Sequence, residues 1–335
     1  MTTGVKADMK PATNFSRRLL LQAAAGAAAL ATMKLQAAES RITRAFEVLD
    51  MDWVDSVRQR PVPVRLHLPS TTAARAGRVP LVVFSHGIGG SRRGYSYLGQ
   101  HFARNGVASL HLQHVGSDRN LWGGSVFGLV GRLHVAAQAE EAMARAQDLR
   151  FALDTLLGGE LATRVDDSRI IAAGHSYGAN TTLLAAGAKV EREGRSMRLN
   201  DDRVRAAIVI SAPPFYGEAK MRNVLGSVTV PSLHVTATED IIRIPGYYSG
   251  SADRVAVFDA VGSSAKWLAV FEGGSHSMFT DRAGTGGVTL NPQVKAATQA
   301  LTLAFVRTLF EGDGAALAAW PQQHVGILAR FIAPA

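Results

Sequence analysis

Short apolar runs alternate with amphipathic stretches along most of the chain, and this alternation predicts strands and helices in turn. Residues 79–85, VPLVVFS, are almost continuously apolar, which is typical of a strand buried on both faces of a sheet. Further strands are predicted at 107–112, 169–173, 204–211, 232–237 and 266–271. Helices are predicted at 91–105, 138–157, 179–190, 252–261 and 292–310. This order indicates the α/β class, with a mostly parallel central sheet and helices on both faces.

An antiparallel pair of strands, 44–53 and 62–68, is predicted to precede this series. No internal repeat or Pro/Ser-rich linker interrupts residues 39–335, so we interpret them as a single domain. Two glycine-rich segments, 116–133 and 272–291, look irregular. Long loops in a compact fold usually carry function or cover a site.

Residues 1–38 have the pattern of an export signal rather than of a folded segment. SRRLLL at 16–21 is a twin-arginine pattern, and an uncharged Ala/Leu stretch follows at 19–32. That stretch is shorter than the roughly 20 residues that cross a membrane. Cleavage is expected after residue 31 or near residues 37–38. The sequence therefore predicts a periplasmic or secreted protein with no stable membrane span once the signal is removed.

The formal net charge of +9 over 335 residues would favour nucleic-acid or anionic-membrane binding if it were concentrated. Residues 1–38 carry five basic and one acidic side chains, so nearly half of the excess belongs to the predicted signal. The remainder is spread along the chain without a basic stripe, and we expect no nucleic-acid partner. The absence of cysteine excludes a thiol nucleophile, a thiolate metal site and any disulfide.

Candidate chemistry begins with GHSYG at residues 174–178, which matches the motif G-x-S-x-G. It follows a predicted strand and precedes a predicted helix, which is the context that this strained turn requires. The two glycines allow the backbone to turn sharply, and the helix N-terminus favours developing negative charge. We therefore predict that Ser176 is a nucleophile, the alternative being an ordinary turn serine.

A serine hydroxyl needs a base to take its proton, and this motif is accompanied by an acid and then a histidine further along the chain. His276 lies in a Gly/Ser loop after the last predicted strand and is the candidate base. Asp240, after the strand 232–237, is the candidate acid that orients the imidazole. Glu239 is the alternative acid, because only one of the two adjacent carboxylates can face inward.

An oxyanion needs preorganised donors, which we assign to the backbone N–H groups of Tyr177 and Ile88. His86 is expected to support the loop that carries Ile88. His111 and His114 have metal-like spacing, but no third ligand is evident and we expect no metal site. Candidate substrate-binding aromatic residues are Trp122, Phe127 and Phe215.

The stretch FSHGIGGSRRGYSYLGQHFARNGVASLHLQHVGSD at 84–118, with GHSYG, TATED and GGSH, resembles an α/β-hydrolase family. Its bacterial members are described as predicted dienelactone hydrolases or as relatives of platelet-activating-factor acetylhydrolase. The resemblance extends over nearly all of residues 44–320. It implies the α/β-hydrolase fold and serine esterase chemistry without a cofactor.

The chain departs from this pattern in several ways. Dienelactone hydrolases use a cysteine nucleophile, which this chain lacks. The plasma-type acetylhydrolase carries its acid after the strand that here ends near residue 211, where no carboxylate stands, so Asp240 must serve, as in bacterial cutinases. Cutinases usually have an aromatic residue at the position of Ile88, Met at Tyr177 and Trp near Pro214, and none of these is matched.

The resemblance and the motifs together predict an exported serine carboxylesterase that acts on small-molecule esters or lipids with short or medium acyl groups. A lipase or cutinase-like polyesterase acting on insoluble esters is the alternative, with segment 116–133 as a mobile apolar cover. A hydrolase fold that only binds ligands is the third hypothesis.

Overall fold

The computed structural model of the chain describes Met1 and residues 45–70, 77–192, 195–215, 220–244 and 247–334. Apart from Met1, the predicted signal segment lies outside the described residues, so export stays a prediction. Residues from Phe46 onward form a compact unit of their own.

The main sheet confirms the predicted fold class. Its nine strands are, in spatial order, β1 (Phe46–Asp55), β2 (Arg60–Pro69), β4 (Ala108–Leu112), β3 (Val79–Ser85), β5 (Val165–His175), β8 (Val204–Ile210), β9 (Ser232–Ala237), β12 (Lys266–Phe271) and β13 (Leu328–Ile332). The six strands from β4 to β12 are parallel to one another. β1, β2 and β13 are joined to them by antiparallel pairing at the two edges.

Two short antiparallel pairs lie outside this sheet. They are β6 (Val190–Arg192) with β7 (Arg195–Met197), and β10 (Ile242–Ile244) with β11 (Tyr247–Ser249).

Helices pack on both faces of the sheet, and the sheet separates two large apolar cores. The first core is covered by α3 (Ala139–Gly158), α4 (Tyr177–Ala185), α5 (Met221–Leu225) and α6 (Ser251–Ala260). The second is covered by α1 (Ser96–Arg104), α7 (Leu290–Glu311) and α8 (Ala315–Gln323). A further short helix, α2 (Leu129–Ala136), packs in a small cluster of its own. Every residue of β3 is buried between the two cores, as its apolar run predicts.

Several boundaries differ from the sequence prediction. α1 begins at Ser96 rather than at residue 91, because Tyr95 has a left-handed backbone conformation with φ of 58°. The segment 116–133 is more ordered than predicted, since it holds two 3-10 turns, Arg119–Trp122 and Val126–Gly128, and the start of α2. Helix α8 and strand β13 were not predicted.

Among the helices that the structure describes, none combines the length and apolar character that crossing a membrane requires.

Candidate active site

Ser176 occupies the sharp turn between β5 and α4, near the middle of the parallel sheet. Its φ of 56° and ψ of −124° are strained for a residue with a side chain. A Cβ atom at Gly174 would lie 2.2 Å from the carbonyl oxygen of Gly178, and one at Gly178 would lie 1.9 Å from that of Ser85. The motif therefore needs glycine at both positions, because backbone atoms occupy the space of a side chain.

The structure brings the three predicted triad residues together at the carboxyl edge of the parallel strands. His276 Nε2 lies 2.8 Å from Ser176 Oγ, and His276 Nδ1 lies 2.6 Å from Asp240 Oδ1. With Nδ1–H donating to the carboxylate, Nε2 is left as an acceptor for the serine hydroxyl. Glu239 is exposed, so Asp240 is the carboxylate that faces the imidazole.

Asp240 is completely buried, and polar groups surround its carboxylate. Oδ2 accepts hydrogen bonds from Thr236 Oγ1 at 2.7 Å and from Ser211 Oγ at 2.5 Å. Arg254, itself buried, has its Nε 3.6 Å from Oδ1. Burial alone would raise the pKa of Asp240, but the hydrogen bond and charge of His276, together with the Arg254 charge, hold it well below its ordinary value. The carboxylate is therefore ionised wherever the protein is folded near neutral pH.

The loop after β3 places one backbone donor beside the serine. Three other N–H groups of this loop are already bonded: Gly87 to the Tyr95 hydroxyl, Gly89 to the Ser117 carbonyl and Gly90 to the Gly87 carbonyl. For the N–H of Ile88 we find no acceptor among the described residues. The N–H of Tyr177 is in the first turn of α4, where no helical acceptor exists. Ile88, Tyr177 and Ser176 line the same cavity, as an oxyanion site requires.

A fully buried arginine on α3 contacts both the loop that carries Ile88 and the helix α4 that begins at Tyr177. Arg145 donates to the His86 carbonyl, to Ser117 Oγ at 2.7 Å and to Thr181 Oγ1 at 2.9 Å. Its guanidinium also lies over the Tyr177 ring, 4.5 Å from the centroid. Arg145 therefore connects the loop that carries Ile88 to the first turn of α4.

His86 supports the loop after β3, which carries Ile88, from within. Its Nδ1–H donates to the Gly87 carbonyl at 2.7 Å, and its Nε2 accepts from the N–H of His114 at 3.1 Å. Burial holds the pKa of His86 well below the ordinary value, so the ring is neutral. His111 bonds to the Gly94 carbonyl and to Ser109, and the described residues contain no group of three or more metal-ligating side chains.

A second histidine joins the loop that carries Ile88 to His276. His175 Nε2–H donates to the His276 carbonyl at 3.0 Å, and His175 Nδ1 accepts from the Tyr95 hydroxyl at 2.9 Å. That hydroxyl in turn accepts from the Gly87 N–H at 3.2 Å. Burial lowers the pKa of His175 to about 3, which keeps it neutral and fixes these roles. The sequence did not predict this connection, because Tyr95 and His175 are 80 residues apart and only the fold brings them together.

A cavity of about 980 Å³ opens beside Ser176. Phe215 lines it, as predicted, and α2 adds Val130 and Leu133. Trp122 and Phe127 are not in its lining: Trp122 is half exposed and donates to the Gly89 carbonyl, and Phe127 is 98% exposed. The described lining contains no Asp, Glu, Lys or Arg.

Comparison with known proteins bears on the fold. The family model described as platelet-activating factor acetylhydrolase, isoform II, matches residues 56–119, which include the Ile88 loop but not Ser176. A search of curated proteins gives no match. In total, 850 chains of solved structures match this fold. One of them is a ferulic acid esterase from Streptomyces cinnamoneus determined at 2.4 Å resolution.

That esterase is 22% identical to this chain, with a TM-score of 0.56 over 79% of this chain and 89% of the esterase. At this level of identity the likeness concerns the fold alone. The chain therefore has the α/β-hydrolase fold.

Proposed function

We propose that the protein is an exported serine carboxylesterase that hydrolyses esters with short and medium acyl groups. The observation that carries this proposal is the hydrogen-bonded series Ser176–His276–Asp240 at the mouth of an apolar cavity. The acetylhydrolase family match over residues 56–119 and the fold shared with an esterase support the same class of reaction. The reaction requires no cofactor.

In the first half of the proposed reaction, Ser176 Oγ attacks the ester carbonyl carbon while His276 Nε2 takes the hydroxyl proton. The N–H groups of Ile88 and Tyr177 stabilise the negative oxygen that forms. His276 then gives the proton to the alcohol oxygen as the C–O bond breaks. The alcohol leaves, and the acyl group remains on Ser176.

In the second half, His276 takes a proton from water, and the resulting hydroxide attacks the acyl carbon. The bond to Ser176 breaks, the carboxylic acid leaves and the proton returns to Ser176 Oγ. Asp240 holds the Nδ1–H tautomer throughout and stabilises the imidazolium that forms in each half.

The lining of the cavity favours uncharged, mostly apolar substrates. Its described lining contains no Asp, Glu, Lys or Arg. A charged substrate group would lose hydration there without gaining a counterion. The volume of about 980 Å³ lies at the upper end of the usual range for small-ligand sites and is far larger than an acetyl group needs.

Turnover of p-nitrophenyl esters with acyl groups from two to twelve carbons tests the proposal. We expect Ser176→Ala to lower kcat by about five to six orders of magnitude. Ser196→Ala, a change at an exposed serine, should leave kcat unchanged. A fluorophosphonate probe should label the wild type and not Ser176→Ala. Esterase activity that survives Ser176→Ala, or labelling at another serine, would overturn the proposal.

A second candidate function is hydrolysis of insoluble esters at a surface. Several apolar side chains between residues 122 and 135 are exposed close to the cavity wall: Trp122, Val126, Phe127, Val130 and Val135. A contiguous exposed apolar patch often marks an interaction surface. This candidate predicts higher rates on emulsified esters or polyester films than on soluble esters, and a preference for soluble esters would reject it.

Export by the twin-arginine route is proposed from the pattern at residues 16–32. In a bacterium with this route, the wild-type protein should reach the periplasm in its shortened form. Replacing Arg17 and Arg18 by lysine should retain the full-length protein in the cytoplasm. An unchanged distribution would contradict this route.

A further inference from the structure

The large cavity beside Ser176 lies on one side of the nucleophile. Ser176, Ile88 and Tyr177 line it, so it reaches both the attacking oxygen and the residues that carry the two backbone donors. His276 is not among the described residues of the lining, although its Nε2 lies 2.8 Å from Ser176 Oγ and its side chain is 18% exposed. The cavity therefore extends from Ser176 in a direction away from the base.

The proposed reaction decides which part of the ester points in that direction. Once Ser176 Oγ has bonded to the carbonyl carbon, that carbon also carries the negative oxygen, the alcohol oxygen and the acyl chain. The negative oxygen faces the N–H groups of Ile88 and Tyr177. The alcohol oxygen must lie close to His276 Nε2, because it receives its proton there. The acyl chain takes the remaining direction, which is the cavity.

The cavity is long enough for an extended acyl chain. Leu184 belongs to its lining and lies eight residues after Ser176, within α4. Residues four apart share one face of a helix, and eight residues correspond to a rise of about 12 Å. With carbon–carbon bonds of about 1.5 Å in a zigzag, a chain of about ten carbons has this length. The cavity therefore has the length of a medium acyl chain.

The start of α3 contributes small or flexible apolar side chains to the lining. Ala139, Ala142 and Met143 are three or four residues apart, so they share one face of the helix, and all three are only partly buried. Each methylene group that leaves water for apolar surroundings strengthens binding by about three- to fourfold. An acetyl group would gain little of this and would leave most of the 980 Å³ to water.

We propose that this cavity binds the acyl part of the ester, and that the substrates are esters of apolar acids with chains of about eight to ten carbons. The alcohol part lies on the side of His276, outside the cavity, and contributes little to selectivity. This inference rests on the proposed esterase function and specifies the acyl group that the enzyme prefers.

The test compares ethyl octanoate with octyl acetate, which are isomers of each other. They contain the same atoms and differ in which side of the ester group carries the long chain. We expect kcat/KM of the wild type to be about a hundredfold or more higher for ethyl octanoate, since only its long chain enters the cavity. Among ethyl esters, kcat/KM should rise with acyl length up to about ten carbons, whereas among acetates it should change little with the length of the alcohol.

Ala142→Leu places a larger side chain in the lining and should lower the ratio of kcat/KM for ethyl octanoate to that for ethyl acetate by about tenfold. Ala319→Leu makes the same change at an exposed position on α8 and should leave this ratio as in the wild type. If Ala142→Leu does not fold, alkylboronic acids test the assignment on the wild type. They bond to Ser176 and have no alcohol part, and octylboronic acid should bind about a hundredfold more tightly than methylboronic acid.

The inference is overturned if the wild type hydrolyses octyl acetate as well as ethyl octanoate or better. It is also overturned if a folded Ala142→Leu protein keeps the wild-type ratio, or if the two boronic acids bind equally, while esters are still hydrolysed. A wild-type protein that hydrolyses none of these esters, or a Ser176→Ala protein that remains active, overturns the proposed function and the inference with it.

Discussion

Two groups of buried polar side chains flank Ser176, and they contact different parts of the site. The acid cluster, formed by Asp240, Arg254, Ser211 and Thr236, surrounds the carboxylate that faces His276. The loop cluster, formed by Arg145, Ser117, Thr181 and His86, contacts the loop that carries Ile88 and the first turn of α4. Both contain a nearly or fully buried arginine, but only the acid cluster lies against a group that exchanges protons in the proposed reaction.

A buried positive charge therefore has two different effects in one site. In the acid cluster, Arg254 lowers the proton affinity of Asp240. In the loop cluster, Arg145 fixes the positions of two backbone segments through directed hydrogen bonds. Changes in the first cluster should therefore alter pH dependence, and changes in the second should alter transition-state binding.

The largest effect is expected from Asp240→Asn in the acid cluster. The amide no longer holds the productive imidazole tautomer, so kcat should fall by about four orders of magnitude. Glu239→Gln changes the adjacent exposed carboxylate and should alter kcat by less than about twofold. Steady-state kinetics of the two variants measure this. A larger loss of kcat in Glu239→Gln than in Asp240→Asn would show that Asp240 is not the acid.

The next effect is expected from Arg145→Met in the loop cluster. Losing the contacts that align the oxyanion donors should lower kcat by about a hundredfold, with little change in KM. Affinity for a boronic acid inhibitor should fall in parallel, while the pH profile of the remaining activity stays in place. Arg145→Lys keeps the charge but lacks the planar guanidinium, so its kcat should lie between those of the wild type and Arg145→Met. A shifted pH profile with unchanged inhibitor affinity would contradict the assigned role.

A smaller loss of kcat, about three- to tenfold, is expected from Arg254→Met, together with a change in acid stability. The pKa of Asp240 in the folded protein is below its ordinary value of 3.8, so this carboxylate stabilises the fold above that pH. The stabilisation disappears as the pH falls through the folded pKa. Removing Arg254 raises that pKa, so acid unfolding should begin at a higher pH.

Circular dichroism during acid titration measures this shift, and Arg222→Met, at an exposed position on α5, is the matched control. An acid-unfolding midpoint that stays in place, or moves downward, would show that Arg254 does not act on Asp240 in this way.

The smallest effect is expected from Tyr95→Phe, which removes the hydroxyl that connects Gly87 to His175. The Gly87 N–H and His175 Nδ1 each lose a partner, so the free energy of unfolding should fall by about 1–2 kcal/mol. We expect a loss of kcat of only a few fold, because neither cluster is changed directly. Urea unfolding and kinetics measure both quantities. Wild-type stability in Tyr95→Phe would show that this connection contributes nothing.

Much of the site could be predicted from the sequence where the signal is local. The apolar run of β3 and the spacing of Gly174 and Gly178 each depend on neighbouring residues alone. Ser176, Asp240 and His276 could be expected to meet, because each follows a predicted parallel strand and parallel strands end at one edge of the sheet. The choice between Asp240 and Glu239 could only be a preference, since adjacent side chains point in different directions and the fold decides which one is buried.

Other features carry no local signal. Arg145 lies within an amphipathic helix, where an arginine normally faces solvent, and only the packing of α3 against the loop that carries Ile88 buries it. Trp122 and Phe127 were predicted to bind substrate because they are aromatic residues in a glycine-rich segment, yet composition does not tell which way a side chain points. Strand β13 is short and only half buried, so its alternation of apolar and polar residues is weak.

The edge strand β13 has a consequence for when the site can form. It pairs with β12, and the Glu272 N–H, just before the loop that carries His276, donates to the Ile327 carbonyl. During synthesis, residues 328–332 emerge long after Ser176 and Asp240. The loop that carries His276 therefore lacks this anchor on a growing chain, and activity should appear only after synthesis has passed these residues.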